Sequence, residues 1–121
     1  GGKKPPNLLQ ILNGEKPANS LPIRVDFVPG SKERYSGGGF TVLQQLLLDA
    51  TGKSFVDLTR QNIFQKLGMT RTTYASPLPT NLSAQAASGH RADESVLPGK
   101  WHIYPEMAAA SLWSTPSDLA R

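Results

Sequence analysis

The chain contains no cysteine. That excludes disulfides and thiolate metal sites, and it leaves open a cytosolic or an exported bacterial-type protein. No apolar run approaches the roughly 18 residues that a membrane span needs. The opening Gly1-Gly2-Lys3-Lys4-Pro5-Pro6 has no apolar segment behind it and makes no secretory leader. His90 and His102, the two histidines, lie 12 positions apart with no carboxylates at ligand spacing, so neither a metal nor another cofactor is expected. Positive charge is in excess, with 13 Lys and Arg against 9 Asp and Glu for a net +4, but it is spread along the whole chain. A nucleic-acid module concentrates its charge on one face and interleaves aromatics; that pattern is missing, and nucleic acid is not an expected partner. No Gly-x-Ser-x-Gly elbow occurs, and no Ser is followed three residues later by Lys, so the chain carries no self-contained acyl-transfer nucleophile. Gly52-Lys53-Ser54 ends like a phosphate-binding loop, but Leu47 stands where that motif needs its first Gly. Gly37-Gly38-Gly39 lacks the full dinucleotide fingerprint, and the element before it is too short for a βαβ unit.

With 121 residues the chain has the size of one ordinary domain with a modest core. Pro5-Pro6-Asn7-Leu8-Leu9-Gln10-Ile11-Leu12-Asn13-Gly14 reads as a short helix, with proline at its start and Gly14 as its stop. Ile23, Val25 and Phe27 alternate with Arg24 and Asp26 as a short half-buried strand does, and Pro29-Gly30-Ser31-Lys32 reads as a tight turn. That turn delivers Arg34-Tyr35-Ser36-Gly37-Gly38-Gly39-Phe40, the stretch where the chemistry is expected. A phenol at a helix start can relay a proton once nearby cations lower its pKa from about 10; the alternative for Tyr35 is a packing residue in a glycine-rich loop. The central helix follows, capped by Ser36 or within the glycines, with Leu43, Leu46, Leu47 and Ala50 on one apolar stripe that Phe40 and Val42 widen. Thr51-Gly52 stops it.

Ser54-Phe55-Val56-Asp57 resembles a capping box and predicts a helix reaching Phe64 or Leu67. From Thr70 to Ser83, Pro77 and Pro79 predict a loop without regular structure. An extended piece over 84–91 and a surface hairpin or loop over 92–98 come next. Tyr104 to Leu112 reads as a short buried helix or turn. Thr115-Pro116-Ser117-Asp118 then announces a further helix, with Thr as N-cap, Pro at the first position and a carboxylate three residues on. Only Leu119-Ala120-Arg121 follow it, and the expectation is a piece of a longer protein.

Five motifs taken together carry a resemblance. They are Tyr35-Ser36-Gly37; Leu46-Leu47 with Thr51-Gly52-Lys53-Ser54-Phe55; Ile63-Phe64-Gln65-Lys66-Leu67-Gly68-Met69-Thr70; Thr72-Thr73; and Ala108 through Ala120, which includes Ser114-Thr115-Pro116-Ser117-Asp118-Leu119. In this order and spacing the chain, from about Pro5 onward, resembles the middle portion of the serine β-lactamase and penicillin-binding-protein family. The branch it resembles is the class C-like one, which also holds D-alanyl-D-alanine peptidases and esterases. The resemblance implies a nucleophile from a Ser-x-x-Lys motif and a Tyr that assists proton transfer. Tyr35 thus carries over as general base or proton relay, its pKa lowered by lysines that this chain does not contain. Gly37 stands at the substrate-contacting position where the family usually has Asn, which leans away from β-lactams toward a peptidase-like or esterase-like member. Lys66 replaces a usual Pro, and Ser111 a usual Gly.

The resemblance implies a mainly α fold over residues 1–121. This is a single helical lobe without the nucleophile helix and the sheet lobe, with at most a small β-hairpin near 23–36 and a long irregular loop over 70–104. Its implied activity is acyl transfer through a serine ester on a D-alanyl peptide, β-lactam or ester, with this piece inert by itself. The implied partners are the remaining lobe of the parent enzyme and a small-molecule or peptidoglycan-type substrate. Apolar residues of the helical lobe are expected to stay uncovered where that other lobe packs. A periplasmic or extracellular setting follows from the resemblance alone. The alternatives are a non-catalytic helical module that binds peptidoglycan or a partner and, more remotely, a nucleic-acid binder.

Overall fold

The computed structural model describes residues 4–121; Gly1, Gly2 and Lys3, part of the stretch read above as no leader, lie outside it. The described chain is mainly α, as expected. Its helices are α1 (Leu8–Asn13), α2 (Gly37–Thr51), α3 (Phe55–Thr59), α4 (Thr80–Ser83), α5 (Met107–Ala110) and α6 (Pro116–Leu119). A π-helical turn, Arg60–Phe64, continues α3. Among the described residues there is no sheet, only isolated antiparallel bridges between Thr73 and Trp113 and between His90 and Val96.

Local chemistry explains where each helix begins and ends. Asn7 and Gln10 cap α1 reciprocally: the Asn7 side chain accepts from the Gln10 N–H at 2.8 Å and the Gln10 side chain from the Asn7 N–H at 3.0 Å. Gly14 ends α1 with φ 68, and a Cβ there would meet the Pro22 nitrogen at 2.6 Å, so only glycine fits. The Ile23 N–H then bonds the Leu12 carbonyl at 2.9 Å, folding the chain back over α1. Ser36 Oγ accepts from the Gly39 N–H at 3.0 Å to open α2, and Gly52 closes it at φ 64. Ser54 caps α3 through the Asp57 N–H at 3.0 Å, and Thr115 caps α6 through the Asp118 N–H at 3.2 Å.

Two expectations change. The strand read at Ile23, Val25 and Phe27 does not form, and the described residues hold no hairpin near 23–36, which the expectation of at most a small one allows. Apart from the Ile23 N–H, which bonds the Leu12 carbonyl, no backbone hydrogen bond joins residues 23–27 to a neighbouring segment among the described residues, and Val25 is 85% exposed. Alternation alone does not make a strand where nothing lies alongside. The second change falls in the loop over 70–104, where Pro79 does not exclude regular structure but starts it. Its carbonyl accepts from the Leu82 and Ser83 N–H groups, both at 2.9 Å, to begin α4, a position where a missing N–H costs nothing. The surface hairpin foreseen over 92–98 appears slightly earlier, closed by Arg91 N–H to Ser95 O and Leu97 N–H to Gly89 O, both at 2.9 Å.

The core is small. Ile11, Ala18, Phe55, Phe64 and Met69 are its buried apolar residues. Tyr74 packs edge-on to Phe55 at 4.9 Å and stacks on Phe64 at 5.9 Å between ring centroids, joining the loop after Met69 to α3. α2 turns Thr41 and Gln44 inward, while Phe40, Leu43, Leu46 and Leu47 stay exposed. Gln44, 2% exposed, donates to the Pro105 carbonyl at 3.2 Å and accepts from the Ala108 N–H at 3.0 Å. That fork fastens α5 to α2. At the other end Asp118, 4% exposed, accepts from the Arg71 N–H and the Thr72 hydroxyl, both at 2.8 Å. Since a carboxylate only accepts, Thr72 donates to it and takes its second bond from Ser114, 2.8 Å away.

Asp118→Ala is expected to cost about 3 kcal/mol, because it strands two partly buried donors that faced a charged acceptor. Asp118→Asn, which keeps one acceptor oxygen, should lose less. Denaturant midpoints of the two variants check the order. Burial pushes the Tyr74 hydroxyl above the ordinary phenol value, so the folded chain keeps that proton longer than the unfolded chain. The stability this contributes is intact below about pH 10 and is lost as pH rises through the folded-state pKa. Tyr74→Phe should therefore flatten the fall of melting temperature above pH 10; parallel curves for the two proteins would contradict the assignment.

Candidate functional site

The approach to Tyr35 is built from one turn and one ion pair. The Ser31 N–H bonds the Val28 carbonyl at 3.0 Å around Pro29-Gly30, with Gly30 at φ 81, the arrangement of a type II turn. Arg34 Nη2 meets the Asp26 carboxylate oxygens at 2.7 and 2.6 Å. Lys32 Nζ and the Arg34 guanidinium lie 3.6 and 4.2 Å from the centre of the Phe27 ring. Both ion-pair partners are about half exposed, so the pair adds little stability; its effect is to hold residues 26 and 34 together. The cations nearest Tyr35 in the sequence are thereby engaged with Asp26 and Phe27.

Tyr35 stands directly before the cap of α2 and is 78% exposed. Its ring leans on Phe40 at 6.0 Å and 40°, and no hydrogen bond holds its hydroxyl among the described residues. Gly37, the first residue of α2, is half-buried. A Cβ added there would have the Ala109 Cβ at 3.9 Å, an ordinary contact, so the position admits a side chain. Gly38 is different, since a Cβ would press within 2.7 Å of Ile23 Cδ1. The two candidate residues thus share the N-terminal end of α2, with Tyr35 beside Phe40 and Gly37 beside α5. A groove of about 450 Å³ runs along this end, lined by Phe27, Arg34, Ser36, Val42 and Leu43 among others.

The family model described as Beta-lactamase matches residues 6–121. The chain belongs to the beta-lactamase family. Membership makes serine-hydrolase chemistry the class to which this chain relates. Comparison with curated proteins and with solved structures gives no significant match. Against the family pattern, Ser111 in place of the usual Gly is explained by the structure. It is buried, and its hydroxyl donates to the Tyr104 carbonyl at 2.7 Å, tying the end of α5 to the segment before it. Lys66 in place of the usual Pro lies exposed after the π-helical turn, where its N–H side needs no special geometry.

The structural weight of two residues, Gln44 beside this region and Asp118 at the other end of the fold, was not legible in the sequence. Gln44 sits in the middle of the apolar run of α2, and Asp118 reads there only as a helix-start carboxylate. A polar residue interrupting an apolar helix was the available signal for Gln44. Asp118 offered none beyond its cap position, because its partners Arg71 and Thr72 are 46 or more residues away.

Since the Tyr35 hydroxyl takes no part in packing, Tyr35→Phe should change stability by no more than about 0.5 kcal/mol. A melting temperature several degrees lower would mean that the hydroxyl is held by a bond, as in a packing tyrosine.

Proposed function

We propose that this chain is the helical lobe of a class C-like serine hydrolase of the beta-lactamase family, acting by acyl transfer on a D-alanyl peptide, a β-lactam or an ester. One observation carries the reading: Tyr35 presents a solvent-accessible phenol with no hydrogen-bonding partner among the described residues, immediately before the capped start of α2. A packing tyrosine has its ring covered; a proton relay needs its hydroxyl open to the reacting groups. In this reading Tyr35 takes the proton from a nucleophilic serine as it attacks the acyl carbon and passes it to the leaving group. The serine and its lysine belong to a Ser-x-x-Lys motif, which this chain does not contain. Gly37 lies where the family's Asn amide contacts substrate, and its glycine supports a peptidase-like or esterase-like preference.

The exposed Leu43, Leu46 and Leu47 of α2 support a further lobe as partner, since a helix that turns its leucines outward leaves apolar area for another surface to cover. The same face suits the second reading, a non-catalytic module that binds a partner. Catalysis separates the two.

Alone, the chain should turn over nitrocefin and nitrophenyl esters no faster than background. In the protein that joins it to Ser-x-x-Lys, Tyr35→Phe should lower kcat by about 10² to 10⁴-fold at nearly unchanged melting temperature. Gly37→Asn should fold normally and shift preference toward amide-bearing substrates. An unchanged kcat in Tyr35→Phe ends the relay assignment and favours the binding module.

A further inference from the structure

A cleft of about 300 Å³ opens at the C-terminal end of α5 and shares no residue with the Tyr35 loop. Its walls include Leu78, Leu97, Trp101, His102, Tyr104 and Trp113. The volume is at the lower end for small-molecule sites, and the lining is apolar and aromatic with a few polar tips, as such sites are. Trp101 and Trp113 meet edge to face with centroids 4.8 Å apart at 69°. The Thr73–Trp113 bridge, with both hydrogen bonds at 2.9 Å, holds Trp113 in place.

Beside the wall residue Trp101, though not itself lining the cleft, a charge sits on a strained backbone. Lys100 has φ 75, directly after Gly99 at φ 82, a conformation that costs a non-glycine residue about 1 kcal/mol or more and concentrates at ligand-contacting positions. It holds the Lys100 amine 5.9 Å from the centre of the Trp101 ring. No carboxylate lines the cleft, and no Asn, Gln or Arg does either. A sugar, whose ring hydroxyls need planar hydrogen-bonding side chains beside the stacking ring, is therefore poorly matched. A flat ring bearing one negative charge matches both the aromatic walls and the single cation beside Trp101.

We propose that this cleft binds a small aryl carboxylate, its ring against the two tryptophans and its carboxylate near Lys100, with Tyr104 and His102 as further donors. The proposal is independent of the acyl-transfer reading, because it draws on none of the residues at the start of α2.

Trp101 and Trp113 are the 2 tryptophans of the chain, so their emission, excited at 295 nm, reports the cleft directly. Phenylacetate should give a saturable change. Phenylacetamide, the same ring without the charge, should bind about five-fold or more weakly, and N-acetylglucosamine should give no saturable change. Lys100→Asn removes the charge at a residue type that accepts positive φ, and it should weaken phenylacetate about five-fold while leaving phenylacetamide unchanged. Trp101→Ala should abolish the response; Trp113→Phe, which keeps a ring and leaves Trp101 as reporter, should retain binding, guarding against misfolding as the cause of the loss. No saturable change with phenylacetate, equal affinity for acid and amide, or tighter binding of the sugar would each overturn the proposal, as would an unaltered affinity in Lys100→Asn.

Discussion

A buried carboxylate does for this chain what a sheet does for most domains of its size. The segment from Thr70 to Tyr104 holds only the single turn of α4 and a small hairpin closed between Gly89 and Leu97, and nothing periodic aligns it with the rest. Asp118 supplies the missing anchor by accepting from Arg71 and Thr72 at once, so that α6 closes on the start of the long loop. The Thr73–Trp113 bridge continues the same seam. Hydrogen bonds to a charged acceptor are stronger than neutral ones, and a chain with so few buried apolar residues depends on them more than a chain with a large core.

The central helix follows a related logic. α2 presents Thr41 and Gln44 inward and Leu43, Leu46 and Leu47 outward, the reverse of an ordinary surface helix. Gln44 can be buried because both ends of its amide are satisfied by the backbone around α5; an unpaired amide in that place would be costly. Gly38 in the first turn of α2 lets Ile23 approach closely. Together these features put Tyr35 at a rigid helix start while leaving its ring in solvent. They also leave Leu43, Leu46 and Leu47 as a surface for something else to cover.

Helix ends were legible because their causes are local. Asn7, Ser36, Ser54 and Thr115 each satisfy an N–H within three residues, and Gly14 and Gly52 adopt the left-handed conformation that stops a helix. The strand at Ile23, Val25 and Phe27 failed for the opposite reason. A strand needs a neighbour, and alternation carries no information about whether one exists. The candidate site was legible in part. Tyr35 and Gly37 could be named from motif order, but the capture of Lys32 and Arg34 by Phe27 and Asp26 depends on a turn that brings residues eight apart into contact.

The sequence by itself determined the starts of α2, α3 and α6, the glycine stops of α1 and α2, the tight turn before Tyr35 and the family to which the chain belongs, since each rests on neighbours a few residues apart or on motif order. Only the tertiary structure decided which face of α2 points inward, which carboxylate is buried and where the two tryptophans meet. Those outcomes join positions from 12 residues apart, Trp101 and Trp113, to 64 apart, Gln44 and Ala108. Whether Leu46 or Gln44 is buried depends on what stands opposite, and for α2 that is the backbone of residues 105–108, whose carbonyl and N–H demand a polar partner.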